Sequence, residues 1–172
     1  MSLVLACLLA LVGCGGDDEA AAPENGVSIS SSSDTQVEIV SSEPSSAALP
    51  VEMNVVMKES PRRRLMVLGE VNLPDQTRLR VRLVRDASNV SWRVMTTVAA
   101  GAFEAGPLGP SSGLVAGAYT LHVSMPPADV QPQEVKAVIG EKGRFLEGPY
   151  VENSPHGLGR IVKYATTYEV LR

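Results

Sequence analysis

An all-β chain, folded as an antiparallel β-sandwich, is the fold the sequence predicts, and three observations carry it. Nine short segments with period-two or β-rich character recur between residues 51 and 171, at a spacing of roughly 8 to 14 residues that suits a sandwich or barrel. Clusters of Gly, Pro, Asn and Asp separate them, each a turn signal. No stretch carries helical periodicity in this reading, so no layer of helices is expected.

The segments run in order as Val51–Met57, Leu65–Leu73, Thr77–Arg85, Val90–Val98, Gly101–Glu104, Ala118–Met125, Glu134–Ile139, Phe145–Val151 and Arg160–Leu171. The turns between them include Pro74-Asp75, Ala100-Gly101, Gly106-Pro107 through Gly113, Pro126-Pro127, Gly140 through Gly143 and Asn153 through Gly159. Thr77–Arg85 alternates most cleanly: Leu79, Val81 and Leu83 take one face, and Arg78, Arg80 and Arg82 the other. In the last segment Val162, Tyr164, Thr166, Tyr168 and Val170 share a face opposite Lys163 and Glu169. With Trp92, Val94, Phe103, Tyr119, Leu121 and Val123 they supply a core of modest size. A body of about 120 residues folds on such a core without disulfides.

Charge divides the chain into unlike parts. Residues 1–50 hold seven acids and no Lys or Arg, which leaves 15 cations against 12 acids in residues 51–172. Both cysteines, Cys7 and Cys14, precede residue 15, so the body has neither a disulfide framework nor a thiolate zinc site. No run of 18 apolar residues exists to form a spanning helix. Leu3–Val12 is a ten-residue apolar run, about 15 Å long as a helix, which suits the apolar region of a secretory signal. From Gly15 to Pro50 the composition is mostly Gly, Asp, Glu, Ala, Ser and Pro without an aromatic residue, too poor in apolar surface to offset ordering. Only Gln36–Val40 alternates like a strand. A disordered tether of this length reaches roughly 30 to 35 Å on average. The expected organisation is a signal peptide over 1–13, a lipidated Cys and tether over 14–50, and a β-sandwich domain over 51–172.

Leu11-Val12-Gly13-Cys14 resembles the lipobox of bacterial lipoproteins. That resemblance implies acylation of the Cys14 thiol and cleavage in front of it, so that the protein is held in the cell envelope by lipid at Cys14. It departs from the pattern in one place, because no Lys or Arg precedes the apolar run. In that family an Asp after the cysteine retains the protein at the inner membrane; Gly15 stands there instead, which implies the outer membrane of a Gram-negative bacterium. In the body, Gly69 through Leu83, Gly101-Ala-Phe-Glu and Leu114 through Val123 resemble the prealbumin-like and immunoglobulin-like sandwich modules of bacterial surface proteins. The proline usual before the Gly-x-Tyr entry is missing at Ala116-Gly117-Ala118-Tyr119. Such a likeness speaks to fold and to no activity.

Motifs of catalysis are weak. Gly109-Pro110-Ser111-Ser112-Gly113 has the spelling of a nucleophile elbow but lacks the strand before and the helix after that would strain the serine. His122, flanked by Thr120 and Ser124 on an outward face, and His156, in a loop, are the two histidines, and neither has acids at a ligand spacing. No glycine-rich loop opens a helix, so no nucleotide cradle is expected, and no cofactor, metal or nucleic-acid partner either. The unusual feature is a run of arginines: Arg62, Arg63 and Arg64, then Arg78, Arg80, Arg82, Arg85 and Arg93. If Thr77–Arg85 pairs with Val90–Val98, Arg93 joins Arg78, Arg80 and Arg82 in an anion-binding face, since guanidinium groups chelate carboxylates and phosphates. The competing account is a solvated face that protects an edge against aggregation. The expected function is therefore a lipid-anchored envelope protein presenting a non-catalytic sandwich for binding or structural interaction, with an acidic envelope polymer or protein as the partner the arginine row suggests, or otherwise a small-ligand carrier or accessory subunit of an enzyme in the periplasm.

Overall fold

The computed structural model describes residues 48–171. Cys14, the lipobox, the tether and its Gln36–Val40 segment lie outside the described residues. The strands are β1 (Leu49–Pro50), β2 (Met53–Glu59), β3 (Leu65–Val71), β4 (Arg78–Arg85), β5 (Ser91–Thr97), β6 (Ala102–Leu108), β7 (Gly117–Ser124), β8 (Leu146–Glu147), β9 (Val151–Asn153) and β10 (Arg160–Val170). Two antiparallel sheets carry the core, one in the order β2-β3-β6 and one in the order β5-β4-β7-β10-β9. Leaving aside the short β9, this is the order of an immunoglobulin-like sandwich, with β2, β3 and β6 in the places of strands A, B and E and with β5, β4, β7 and β10 in those of C′, C, F and G.

Alternation builds the core. Leu65, Val67 and Val71 from one sheet meet Leu79, Val81, Leu83, Tyr119, Leu121, Val123 and Val162 from the other, all buried in a single cluster. Trp92, Val94, Tyr164 and Tyr168 pack against it half-buried. Within the three-stranded sheet, the seat of the Phe103 ring on β3 depends on one glycine. A Cβ at Gly69 would lie 2.2 Å from Cε1 and Cζ of Phe103, its partner across β3 and β6. Gly69→Ala should therefore cost about 1 to 3 kcal/mol through overpacking. Adding Phe103→Leu should recover part of that loss, and a double-mutant cycle by denaturant unfolding measures it. Additive losses would show that the ring does not fill this space.

Three segments differ from the sequence reading. Glu134–Ile139, expected as a strand, is part of a helix, α1 (Gln133–Ile139). Val135, Ala137 and Ile139 alternate, but Val135 and Ile139 also lie four apart, and those two are the buried ones while Ala137 is exposed. Pro132 opens the helix and Gly140, at φ +78°, closes it. Phe145–Val151 is split into β8 and β9 by a turn that begins at Gly148, with φ +113°. The segment begun at Gly101 continues to Leu108, through the Gly106-Pro107 pair expected to turn. There β6 spends one more residue than β3, pairing Leu65 with Leu108 and Val67 with Ala105, and Gly106 takes the φ of +136° that this bulge imposes.

The body also begins earlier than Val51. Leu49 and Pro50 pair in parallel with Leu146 and Glu147, and Val51 N–H donates to the Glu147 carbonyl at 2.8 Å.

At the far end of β4 a buried glutamine replaces a strand. Pairing of β4 with β7 stops at Arg80 and Ser124, and the next residue due opposite Arg78 is Pro126, which has no N–H. Gln131 substitutes: its Oε1 accepts from Arg78 N–H at 2.8 Å, and its Nε2 donates to the carbonyls of Arg78 and Pro126. The chain leaving β7 is thereby clasped to the sheet.

Candidate anion-binding face

The outward residues of β4 stand on an interior strand of the five-stranded sheet, between β5 and β7. Arg78, Arg80 and Arg82 are exposed, alternating with buried Leu79, Val81 and Leu83. The expected hairpin forms, and Arg93 lies directly opposite Arg82. On the other side of β4, Arg82 faces His122 and Arg80 faces Ser124. One strand further, Ala165 and Lys163 of β10 lie opposite His122 and Ser124. Two rows therefore cross the sheet: Arg93, Arg82, His122 and Ala165 in one, and Met95, Arg80, Ser124 and Lys163 in the next. Neighbouring strands are about 4.8 Å apart and the rows about 6.7 Å.

The arginines do not act alike. Arg78 donates through its guanidinium to the Val130 carbonyl at 2.9 Å and helps hold the Gln131 clasp. Arg85 turns toward the core side, half-buried, and its Nε has no hydrogen-bond partner. Arg62 and Arg63 occupy the β2–β3 turn, where Arg63 donates to the Leu171 carbonyl, away from this face. Arg80, Arg82 and Arg93 remain as the exposed set. Among the described residues the ion pairs are Arg160 with Glu147 and Lys163 with Glu152, so no carboxylate neutralises those three.

That arrangement bears on the edge-protection account of the row. Protection of an edge fits Arg93, which is on the edge strand β5, but β4 is paired on both sides and has no edge to protect. Like charges directly opposite one another, as in Arg82 and Arg93, are destabilising. Of the three unneutralised guanidiniums, Arg80 and Arg82 face water from an interior strand that has no edge for them to protect, and Arg93 from its edge neighbour β5.

Long side chains flank short ones, and a trough results. Arg80 and Arg82 form one wall, Lys163 and Glu152 the other, and His122, Ser124 and Ala165 the floor, enclosing about 480 Å³. Burial, then the positive charge of Arg82, holds the His122 pKa below its usual 6.5; Lys163 adds to this and Asp86 opposes it. The unfolded chain thus binds more protons at this ring than the folded one. Its contribution to stability is complete above pH 6.5 and declines as the pH falls through that value.

His122 and Lys163 are the residues that sequence reasoning left out of the site. Alternation places His122 outward, but its neighbours come from the pairing of β7 with β4, 34 to 44 residues away, which no local pattern encodes. The Gly109–Gly113 segment is a loop with Gly113 N–H donating to the Pro110 carbonyl at 3.0 Å, and His156 is exposed in the β9–β10 loop. Among the described residues no three His, Cys, Asp or Glu side chains converge on a point. No family model, curated protein or solved structure matches this chain.

Proposed function

We propose that the protein is a lipid-anchored envelope protein, tethered through Cys14, whose β-sandwich binds an acidic polymer or protein without catalysis. One observation supports it above the others: Arg80 and Arg82 on the interior strand β4, and Arg93 opposite Arg82 on β5, face water without an ion-pair partner among the described residues. The lipobox resemblance supplies the location, and the acidic, Ser-rich stretch of residues 15–50 the spacing from the membrane.

The test is the triple variant Arg80→Gln, Arg82→Gln and Arg93→Gln, which leaves the Arg78 clasp intact. Each exposed charge contributes roughly 0 to 1 kcal/mol, and relief of the Arg82–Arg93 repulsion offsets the loss, so the unfolding midpoint should hardly move. Retention of the full chain on an immobilised acidic polymer should fall, and its salt dependence should flatten, since exposed charges act over about 8 Å at physiological salt. Unchanged retention with unchanged stability would reduce the row to a solvated face.

A further inference from the structure

Not all of the cationic face is equivalent. Along most of it the side chains stand side by side, but between β4 and β10 the small residues Ser124 and Ala165 let the surface sink between long cations. The lining there holds three cations, Arg80, Arg82 and Lys163, against one carboxylate, Glu152, which is paired to Lys163. His122 lies on the floor with Arg82 beside it on β4, Arg93 beyond, Lys163 on β10, Glu152 on β9, and Asp86 at the start of the β4–β5 turn. Asp86 accepts a hydrogen bond from Thr120 Oγ1 at 2.8 Å, which directs one of its oxygens to that hydroxyl.

Resting on the reading above, we infer that this trough is a subsite for a phosphodiester group of a phosphorylated carbohydrate or polyol chain, and that His122 takes up a proton as the group enters. Three features favour that chemistry. Donors reach the trough from two walls, about two strand spacings or 9 to 10 Å apart at the backbone. A tetrahedral phosphate offers oxygens to both walls, whereas a planar carboxylate is satisfied by one guanidinium and leaves the other wall unused. The trough is concave, and of the outward residues in the two rows Met95 is the one large apolar side chain, so the face suits a narrow chain better than insertion into a bilayer.

An arriving anion reverses the field that keeps His122 neutral. Protonated imidazole then adds a donor, and the proton gained on binding makes affinity rise as the pH falls, by up to about tenfold per pH unit for one proton.

The experiment uses the full chain in a neutral detergent and a synthetic glycerol phosphodiester oligomer, whose groups stay ionised throughout. The two histidines are followed by NMR, with His156 as the internal reference. Ligand should raise the His122 titration midpoint by about one unit or more while His156 stays, and affinity should be about fivefold or more higher near pH 5.5 than near pH 7.5. His122→Gln should abolish that pH dependence and keep the affinity measured at the higher pH. Arg82→Gln should lower affinity at least about fivefold, a loss that Lys58→Gln, on the other sheet, does not reproduce. Binding without movement of the His122 midpoint overturns the inference, as does equal affinity for polyglutamate. A midpoint that moves with phosphatidylglycerol vesicles and not with the oligomer makes the ligand a lipid surface and also overturns it. No oligomer binding, with acidic-polymer retention still lost in the Arg80, Arg82 and Arg93 variant, ends the subsite and leaves the binding face standing. Loss of neither ends both.

Discussion

Tyr119→Ala should lower the stability of the sandwich by about 3 to 5 kcal/mol, and Tyr119→Phe by only about 0.5 to 1.5 kcal/mol. The two substitutions separate what the ring does from what the hydroxyl does. Tyr119 is fully buried near the start of β7, and its ring lies 6.5 Å from that of Trp92. Truncation to Ala would empty a ring-sized space where both layers meet. The hydroxyl donates to the Val115 carbonyl four residues upstream, at 2.9 Å, tying the crossover from β6 to the strand it enters. This is the corner tyrosine of Greek-key sandwiches, in the place of strand F. Because Val115 is itself 51% exposed, water reaches its carbonyl when the hydroxyl is removed, so the Phe variant loses one net hydrogen bond and not the larger cost of a buried orphan. Denaturant unfolding with an unchanged slope measures both. A Phe variant as unstable as the Ala variant would mean that the bond, and not the packing, closes this corner.

The same tyrosine shows how far local signals reach. Leu114-Val115-Ala116-Gly117-Ala118-Tyr119 carries the strand entry in its spelling, and the structure makes of it a turn, a buried ring and a bonded hydroxyl. Period-two alternation in β4 and β10 likewise told core from water correctly, because burial of one face is a local property of a strand. Seven residues are too few to tell a helix from a strand when Val135 and Ile139 fit both periods, which is why Glu134–Ile139 reads as a strand and folds as part of α1. Its geometry is set by Pro132 and Gly140 and by the core that Val135 and Ile139 enter.

What no local pattern carries is strand order. Arg78, Arg80, Arg82 and Arg93 were legible as a set because a short hairpin joins them, and Arg93 does fall opposite Arg82. The trough was not legible. It needs β7 on one side of β4 and β10 on the far side of β7, joined by crossovers between sheets, so that Arg80, His122 and Lys163 come together from three distant strands. The same order removes the edge-protection account from Arg80 and Arg82, an inference that composition alone could not make.

Cys14→Ser should abolish lipid attachment altogether, the largest change expected of any single substitution in this chain. The residue lies outside the described structure, and the expectation rests on the chemistry of Leu11-Val12-Gly13-Cys14. Transfer of a diacylglyceryl group needs a sulfur nucleophile; a thiol with a pKa near 8.5 ionises far more readily than a serine hydroxyl, which at neutral pH is a weak acceptor without a base beside it. In the lipobox pattern cleavage follows acylation, so the unmodified chain should also keep its first 13 residues and run larger on a gel. Cys7→Ser is the control, since Cys7 lies inside the apolar run and would be discarded with it. Metabolic labelling with a palmitate analogue reads the result, with all label lost in Cys14→Ser and none lost in Cys7→Ser. Each buried methylene of an acyl chain contributes about 0.8 kcal/mol of membrane affinity, so loss of the chains should release the protein from sedimented membranes. Undiminished label in Cys14→Ser would remove the anchor, and with it the argument that places the arginine face near an acidic envelope component.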